Sequence, residues 1–210
     1  MRHIIVSDFD GTITKVDTLY DFLKRYAQSS WLEIERMWIE GKIGSKECLK
    51  KEFELVENLN QDLIDNYLDI VEIDPYFMEF NNYRIKKNLD FIIVSDGIDY
   101  FINKVLEKNK IKDIKVISNH GEFINDKFVI SFPNQYNLCK NKSGTCKCKV
   151  IQELKKEYQV IYIGDGHSDF CVSDKADILY AKSHLLDYAK KNKIKCVEYN
   201  DFNDIYHTFD

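Results

Sequence analysis

The chain of 210 residues has no apolar run near the roughly 20 residues that a bilayer-spanning helix needs. Its first residues run straight into a strand-like segment with no signal-peptide pattern, so a cytoplasmic location is expected. Positive charge is not in excess either. The net charge of −5 gives no electrostatic reason to bind nucleic acid or an anionic membrane. Any anionic substrate must then be attracted by a local field. Arginine is scarce, and there is no internal repeat or low-complexity tract. Nothing in the composition fixes an oligomeric state.

The length allows one full domain with a substantial insertion, and not comfortably two independent enzymes. Six cysteines are present. Cys139, Cys146 and Cys148 cluster in the sequence, which leaves a zinc site or a redox pair open, but the nearby histidines lack a ligand-like spacing. Cys48, Cys171 and Cys196 sit among apolar neighbours and read as reduced core residues.

The most informative segment is Ile4-Ile5-Val6-Ser7-Asp8-Phe9-Asp10-Gly11. Its apolar part reads as a strand buried on both faces, as in a parallel sheet, where ligands lie beyond the carboxyl ends of the strands. Side chains alternate along a strand, so Asp8 and Asp10 project to one side and Phe9 to the other. A second apolar run, Phe91 to Val94, ends in Ser95-Asp96-Gly97, a hydroxyl followed by a turn whose N–H groups suit an anion. A third, Val160 to Ile163, leads into Gly164-Asp165-Gly166-His167-Ser168-Asp169.

Gathering Asp8, Asp10, Asp165 and Asp169 at one edge requires a counter-charge, because like charges 4 Å apart repel by about 4 kcal/mol at an effective dielectric of 20. A bound cation is the simplest answer. Oxygen-only ligands suit Mg²⁺ better than zinc. A lysine would complete the site, and Lys147, at the start of an amphipathic stretch, is the leading candidate.

These residues together resemble the four ordered motifs of the haloacid dehalogenase (HAD) superfamily of phosphohydrolases: Asp8-Phe-Asp-Gly-Thr-Ile-Thr14, Ser95, Lys147 and Gly164-Asp-Gly-His-Ser-Asp169. The resemblance is closest to the branch with a helical cap between the first and second motifs, which includes phosphoserine, methionine-salvage and phosphocholine/phosphoethanolamine phosphatases. Gly-Thr-Cys-Lys147 with Val150-Ile151, and Gly-Asp-Gly-His-Ser-Asp-Phe-Cys171, look most like the latter two groups. The resemblance implies an α/β fold: a Rossmann-like parallel sheet core over residues 1–14 and 88–210, with an α-helical bundle cap inserted over 15–87.

It also implies a Mg²⁺-dependent phosphomonoester phosphatase acting on a small phosphorylated metabolite. Asp8 would be the nucleophile that becomes an aspartyl-phosphate. Asp10 would protonate the leaving alkoxide and then deprotonate water, which requires a raised pKa. The metal would be held by the carboxylates of Asp8 and Asp165 and the backbone carbonyl of Asp10. Asp169 would hold a metal-bound water or orient Lys147, and it also reads as the first-turn acid of a helix opened by Ser168. Ser95, with the amides of Asp96 and Gly97, would grip the phosphoryl oxygens, and Lys147 would supply positive charge. His167 reads as a loop residue. Asp17, nine positions after the nucleophile, either meets an amine or caps a helix. Tyr20, Trp31, Trp38 and Arg36 are cap residues that would shape the leaving-group pocket, with a helix-bundle core the alternative for the aromatics; Arg25 and Arg36 are candidate carboxylate clamps. The methionine-salvage diketo-methylthiopentyl phosphate fits the pattern best, ahead of phosphocholine, phosphoethanolamine and phosphoserine-type substrates. A phosphotransferase, and a binding protein that keeps the fold without turnover, are the other readings.

Between Thr14 and Leu89 the periodicity is helical. Asp17 or Thr18 caps a first helix, Trp31 to Glu40 forms a second closed by Gly41, Ser45 caps a third, and Leu63 to Val71 repeat on a fourth. Asp74-Pro75 opens a fifth. Beyond Ser95, helices alternate with extended runs, interrupted by Glu122 to Phe132, which reads as a small β-hairpin about Asn125-Asp126.

Overall fold

A computed structural model describes residues 2–208. Its sheet has the order β4-β3-β2-β1-β5-β6-β7, from β1 (Arg2–Ser7), β2 (Asp90–Ile98), β3 (Lys115–Ile124), β4 (Lys127–Ser131), β5 (Tyr158–Gly164), β6 (Ile178–Ala181) and β7 (Val197–Glu198). All neighbours are parallel except β3 and β4, the expected hairpin, whose turn residues Asn125 and Asp126 both adopt positive φ.

The middle of each of the three central strands is apolar because both faces there are covered. Ile5, Phe91, Ile93, Ile161 and Ile163 enter one core cluster, while Ile4, Val6, Ile92, Val94, Val160 and Tyr162 enter the other. Odd and even residues thus divide cleanly between layers, as a period of two demands. The second layer is closed by α7 (Lys147–Leu154) and α8 (Ser183–Lys191), through Ile151, Leu185 and Ala189. The first is closed by α6 (Asp99–Lys108), α9 (Phe202–Tyr206) and helices inserted between β1 and β2.

Those inserted helices are α1 (Thr18–Tyr26), α2 (Trp31–Ile39), α3 (Ser45–Phe53), α4 (Gln61–Leu68) and α5 (Phe77–Lys86). Asp17 caps α1 by accepting from Tyr20 N at 2.9 Å, and Gly41, at φ +72°, follows α2. Two expected starts differ. Gly44 is the cap of α3, and Ser45 is its first residue, with a hydroxyl turned to another partner described below. Asp74 accepts from Tyr76 N at 2.9 Å, so α5 begins just beyond Pro75 and not at it. Phe22, Phe53 and Phe101 pack edge-on or stacked at 5.4–6.1 Å, joining α1 and α3 to α6 in one continuous core. Phe77 and Phe80 of α5 pack on Phe91 and Phe202, bringing the chain back to the sheet. Among the described residues no helix is long and apolar enough to cross a membrane.

Candidate active site

The carboxyl ends of β1, β2 and β5 meet beneath α1–α3. β1 pairs with both β2 and β5, so the residues that follow Ser7, Val94 and Ile163 emerge side by side. Asp8, Asp10, Asp17, Ser95, Asp96, Gly97 and Asp165 all line one cavity of about 120 Å³. Its opposite wall comes from the inserted helices: Tyr20, Trp31, Glu35, Trp38, Ser45, Cys48 and Glu52.

Lys147, the first residue of α7, is buried behind Asp8. Its Nζ lies 2.8 Å from Asp8 Oδ2 and 2.6 Å from Asp169 Oδ1, and it donates to Ser168 Oγ at 2.9 Å. Burial disfavours the ammonium, but the charges of Asp169 and Asp8 outweigh that and raise its pKa. Its carboxylate partners thus favour the charged ammonium. Asp169 is saturated with donors: Lys147, Tyr162 OH at 2.5 Å, and the amides of Asp165 and Gly166 at 3.0 and 3.1 Å. Burial alone would raise its pKa, yet Lys147 and these bonds hold it below the ordinary value.

The other acids respond in the opposite direction. Burial first, then the charge of Asp169, pushes Asp8 well up despite the pull of Lys147. The same two causes push Asp165 up to about 7. Thr12 Oγ1 steadies Asp165 at 2.6 Å. Gly11 has φ +70°, and a Cβ there would stand 2.5 Å from Asp165 Oδ2, so this turn needs glycine. Carboxylate oxygens of Asp8, Asp165 and Asp169 lie within 4.8 Å of one another. Three acids against one ammonium leave an unmet demand for positive charge, and an all-oxygen donor set suits a hard divalent cation.

Asp10 is not part of this cluster. Its Oδ1 accepts from the Thr18 amide at 3.2 Å and from the Thr18 hydroxyl, and Ser95 Oγ stands 3.5 Å from Oδ2. Burial, then the charge of Asp17, pushes it up to about 7. That value matches a group that must both give and take a proton near neutrality.

Ser95-Asp96-Gly97 is not the expected free turn. It lies within β2 as a bulge: Val94 pairs with Ile117 and Ile98 with Asn119, so four steps on β2 match two on β3. The Gly97 amide is engaged by Ser95 Oγ at 2.9 Å. A Cβ on Gly97 would sit 2.5 Å from Asp10 Oδ2, so the bulge brings backbone against the acid. The Asp96 side chain takes the Thr145 amide at 2.9 Å and the Ser45 hydroxyl, tying α3 to the sheet.

Asp17 both caps α1 and lines the cavity, and Tyr20 and Trp31 stack edge-on at 5.0 Å in its wall. Arg36 is not among the lining residues. On α2 the lining residues Trp31, Glu35 and Trp38 follow helical spacing, and Arg36, one residue off that face, is exposed and pairs with Glu33 at 3.8 Å. Arg25 likewise pairs with Asp21 at 2.9 Å. Cys139, Cys146 and Cys148 form no metal-ready group among the described residues, and all six cysteines are free. The sequence places Thr12 and Ser168 within motifs, Thr18 at a helix cap and Tyr162 in a strand, but no local signal marks their hydrogen bonds to the acids and to Lys147.

Residues 3–195 match the family described as "Putative Phosphatase". A 2-hydroxy-3-keto-5-methylthiopentenyl-1-phosphate phosphatase of Bacillus pumilus is 30% identical, over 100% of this chain and 91% of its own length. Its counterpart in Brevibacillus brevis is 29% identical, over 96% and 92%. Among solved structures, a phospho-aspartyl intermediate analogue of phosphoserine phosphatase superposes with a TM-score of 0.74 at 20% identity, covering 99% of this chain and 98% of the other. A phosphoserine phosphohydrolase-like protein from Francisella tularensis gives 0.74 at 18%, covering 99% of both chains. The fold of these neighbours is the one built above, and the chain belongs to the "Putative Phosphatase" family, as a phosphoric monoester hydrolase.

Proposed function

We propose that the enzyme hydrolyses the phosphomonoester of a small metabolite through an aspartyl-phosphate on Asp8, with Mg²⁺ as cofactor. The single observation that carries this reading is the placement of Lys147 Nζ 2.8 Å from Asp8 Oδ2 beside an independently held acid, Asp10, whose pKa is pushed up to about 7. An Asp8 oxygen forms a bond to phosphorus as the bond to the ester oxygen breaks. Asp10 gives its proton to the departing oxygen. It then takes a proton from the water that attacks phosphorus, releasing phosphate and restoring Asp8. Lys147 balances charge on the transferring group, and Ser95, which lines the same cavity, would donate to its oxygens. Asp8 and Asp165, with the Asp10 carbonyl as in the family, would hold Mg²⁺, which when bound supplies further positive charge to the phosphoryl group. Asp169 serves to fix Lys147. A core of 1–14 and 88–210 with a cap of 15–87 goes with this reading, α1–α3 supplying the wall opposite the nucleophile.

The named substrate of the relatives, 2-hydroxy-3-keto-5-methylthiopentenyl-1-phosphate, is the first substrate reading, supported by 29–30% identity along nearly the whole of both chains. The test is phosphate release with Mg²⁺ from this compound, phosphocholine, phosphoethanolamine and phosphoserine, ranked by kcat/KM. Asp8→Asn should abolish turnover and leave the protein folded. Release that depends on an added acceptor, or turnover surviving in Asp8→Asn, would overturn the mechanism.

A further inference from the structure

The helical wall of the cavity carries a second pair of acids apart from the catalytic cluster. Glu35 of α2 and Glu52 of α3 both line the cavity with Cys48 beside them, one donor atom of each lying within 4.8 Å of the others. Glu52 is 4% exposed, and its Oε1 is buried with no hydrogen-bond partner among the described residues. The ionisable groups acting on the pair are each other, Cys48 and Asp17. Among the described residues no lysine or arginine lines the cavity.

Two carboxyls this close cannot both ionise readily. Burial, then the charge of Glu35, pushes Glu52 up to about 8. Burial and like charge therefore keep the pair from carrying two full negative charges, and Oε1 of Glu52 has no hydrogen-bond partner among the described residues. Buried polar groups in folded proteins are almost always satisfied, so an orphan at the wall of a substrate cavity marks a place for a ligand donor.

We infer that Glu52, steadied by Glu35, is a specificity-determining residue that accepts a hydrogen bond from a hydroxyl or ammonium group on the substrate's leaving portion. The inference rests on the phosphoryl end being anchored at Asp8 and Lys147, as proposed above. The shared chemistry is an N–H or O–H donor. A carboxylate at this position would meet like charge and no counter-ion.

Titration calorimetry with Mg²⁺ and three alkylphosphonates tests it: 2-aminoethyl-, 2-hydroxyethyl- and propylphosphonate. The wild-type protein should bind at least one donor-bearing compound about tenfold more tightly than propylphosphonate, the effect of about one hydrogen bond. Tighter binding of the ammonium compound assigns the pair's charge a part, and equal binding assigns a plain hydrogen bond. Glu52→Met, which removes the acceptor, should shrink the ratio to within about twofold. Glu52→Gln, which keeps a carbonyl oxygen, should restore the preference for the hydroxyl compound. A wild-type ratio within twofold, equal loss for all three ligands in Glu52→Met, or no binding at all would overturn the inference. Phosphonates have no ester to cleave, so p-nitrophenyl phosphate turnover measured alongside separates the two ideas. Turnover without donor preference sinks the inference alone; donor preference without turnover sinks the phosphatase mechanism alone.

Discussion

Lys147 Nζ stands 2.6 Å from Asp169 Oδ1, and both side chains are almost wholly removed from solvent. A lone ammonium at this depth would be driven to lose its proton, so Asp169 keeps the charge that Asp8 faces. Breaking such a buried pair by removing one partner typically costs about 3–5 kcal/mol. Asp169→Asn should therefore lower unfolding stability by about 3 kcal/mol in urea and suppress turnover strongly. A variant within 1 kcal/mol of wild type would mean that Asp8 alone suffices for Lys147.

Much of this arrangement was legible in the sequence, and the reason is topological. β1, β2 and β5 are adjacent in a parallel sheet, so motifs that end those strands must converge at one edge. The strand runs announced themselves because two-sided burial leaves no polar interruption. Less accessible was anything set by the packing of inserted helices over that edge. The identity of the cavity-facing side of α2 turns on about 100° of rotation per residue, which separates Glu35 from Arg36. The bulge at Ser95–Gly97 was equally hidden, since its cause is the register of β3 and not any local turn signal. Ser45 satisfied the rule for a helix cap while its hydroxyl was drawn to Asp96, fifty-one residues away in the chain.

Asp10 is assigned a proton transfer in each half of the reaction, and leaving groups differ in how much they need the first. An alkoxide needs protonation; p-nitrophenolate does not. Asp10→Asn should lose about 10²–10⁴ in kcat on alkyl phosphates. On p-nitrophenyl phosphate it should show a rapid burst of nearly one phenolate per enzyme, followed by slow turnover, because the phosphoenzyme still lacks its base. Equal losses in the first step for both substrate types would remove Asp10 from the acid role.

Raised carboxyl pKa values also set the pH dependence of stability. Asp10 and Asp165 both move from the ordinary carboxylate range to about 7 in the folded protein. Groups raised in this way add stability that is complete below the unfolded pKa near 4 and is lost as pH rises through about 7. Protein freed of divalent cations should thus melt several degrees higher at pH 5 than at pH 8. Mg²⁺ competes with those protons and should raise the melting temperature more at pH 8 than at pH 5. A melting temperature independent of pH across this range, or a Mg²⁺ effect that is larger at pH 5, would contradict the clustering of acids.

Arg36 offers a test of the cavity's electrostatic character. It lies off the lining face of α2, its side chain 67% exposed and paired only loosely with Glu33 at 3.8 Å. Exposed pairs of this kind contribute about 0–1 kcal/mol, so Arg36→Ala should change neither stability by more than that nor kcat/KM by more than about twofold on any substrate. The cavity itself offers acids and aromatic rings, without a lysine or arginine among its lining residues. Phosphoserine, whose carboxylate would sit against this wall unpaired, should be turned over with a kcat/KM at least tenfold below that of phosphoethanolamine, which differs from it by that carboxylate alone. A carboxylate left without its partner against this wall forfeits more than one hydrogen bond, so the difference should appear mainly in KM. Comparable values for the two compounds, together with a large loss in Arg36→Ala, would show that α2 turns in solution to bring its arginine to the substrate.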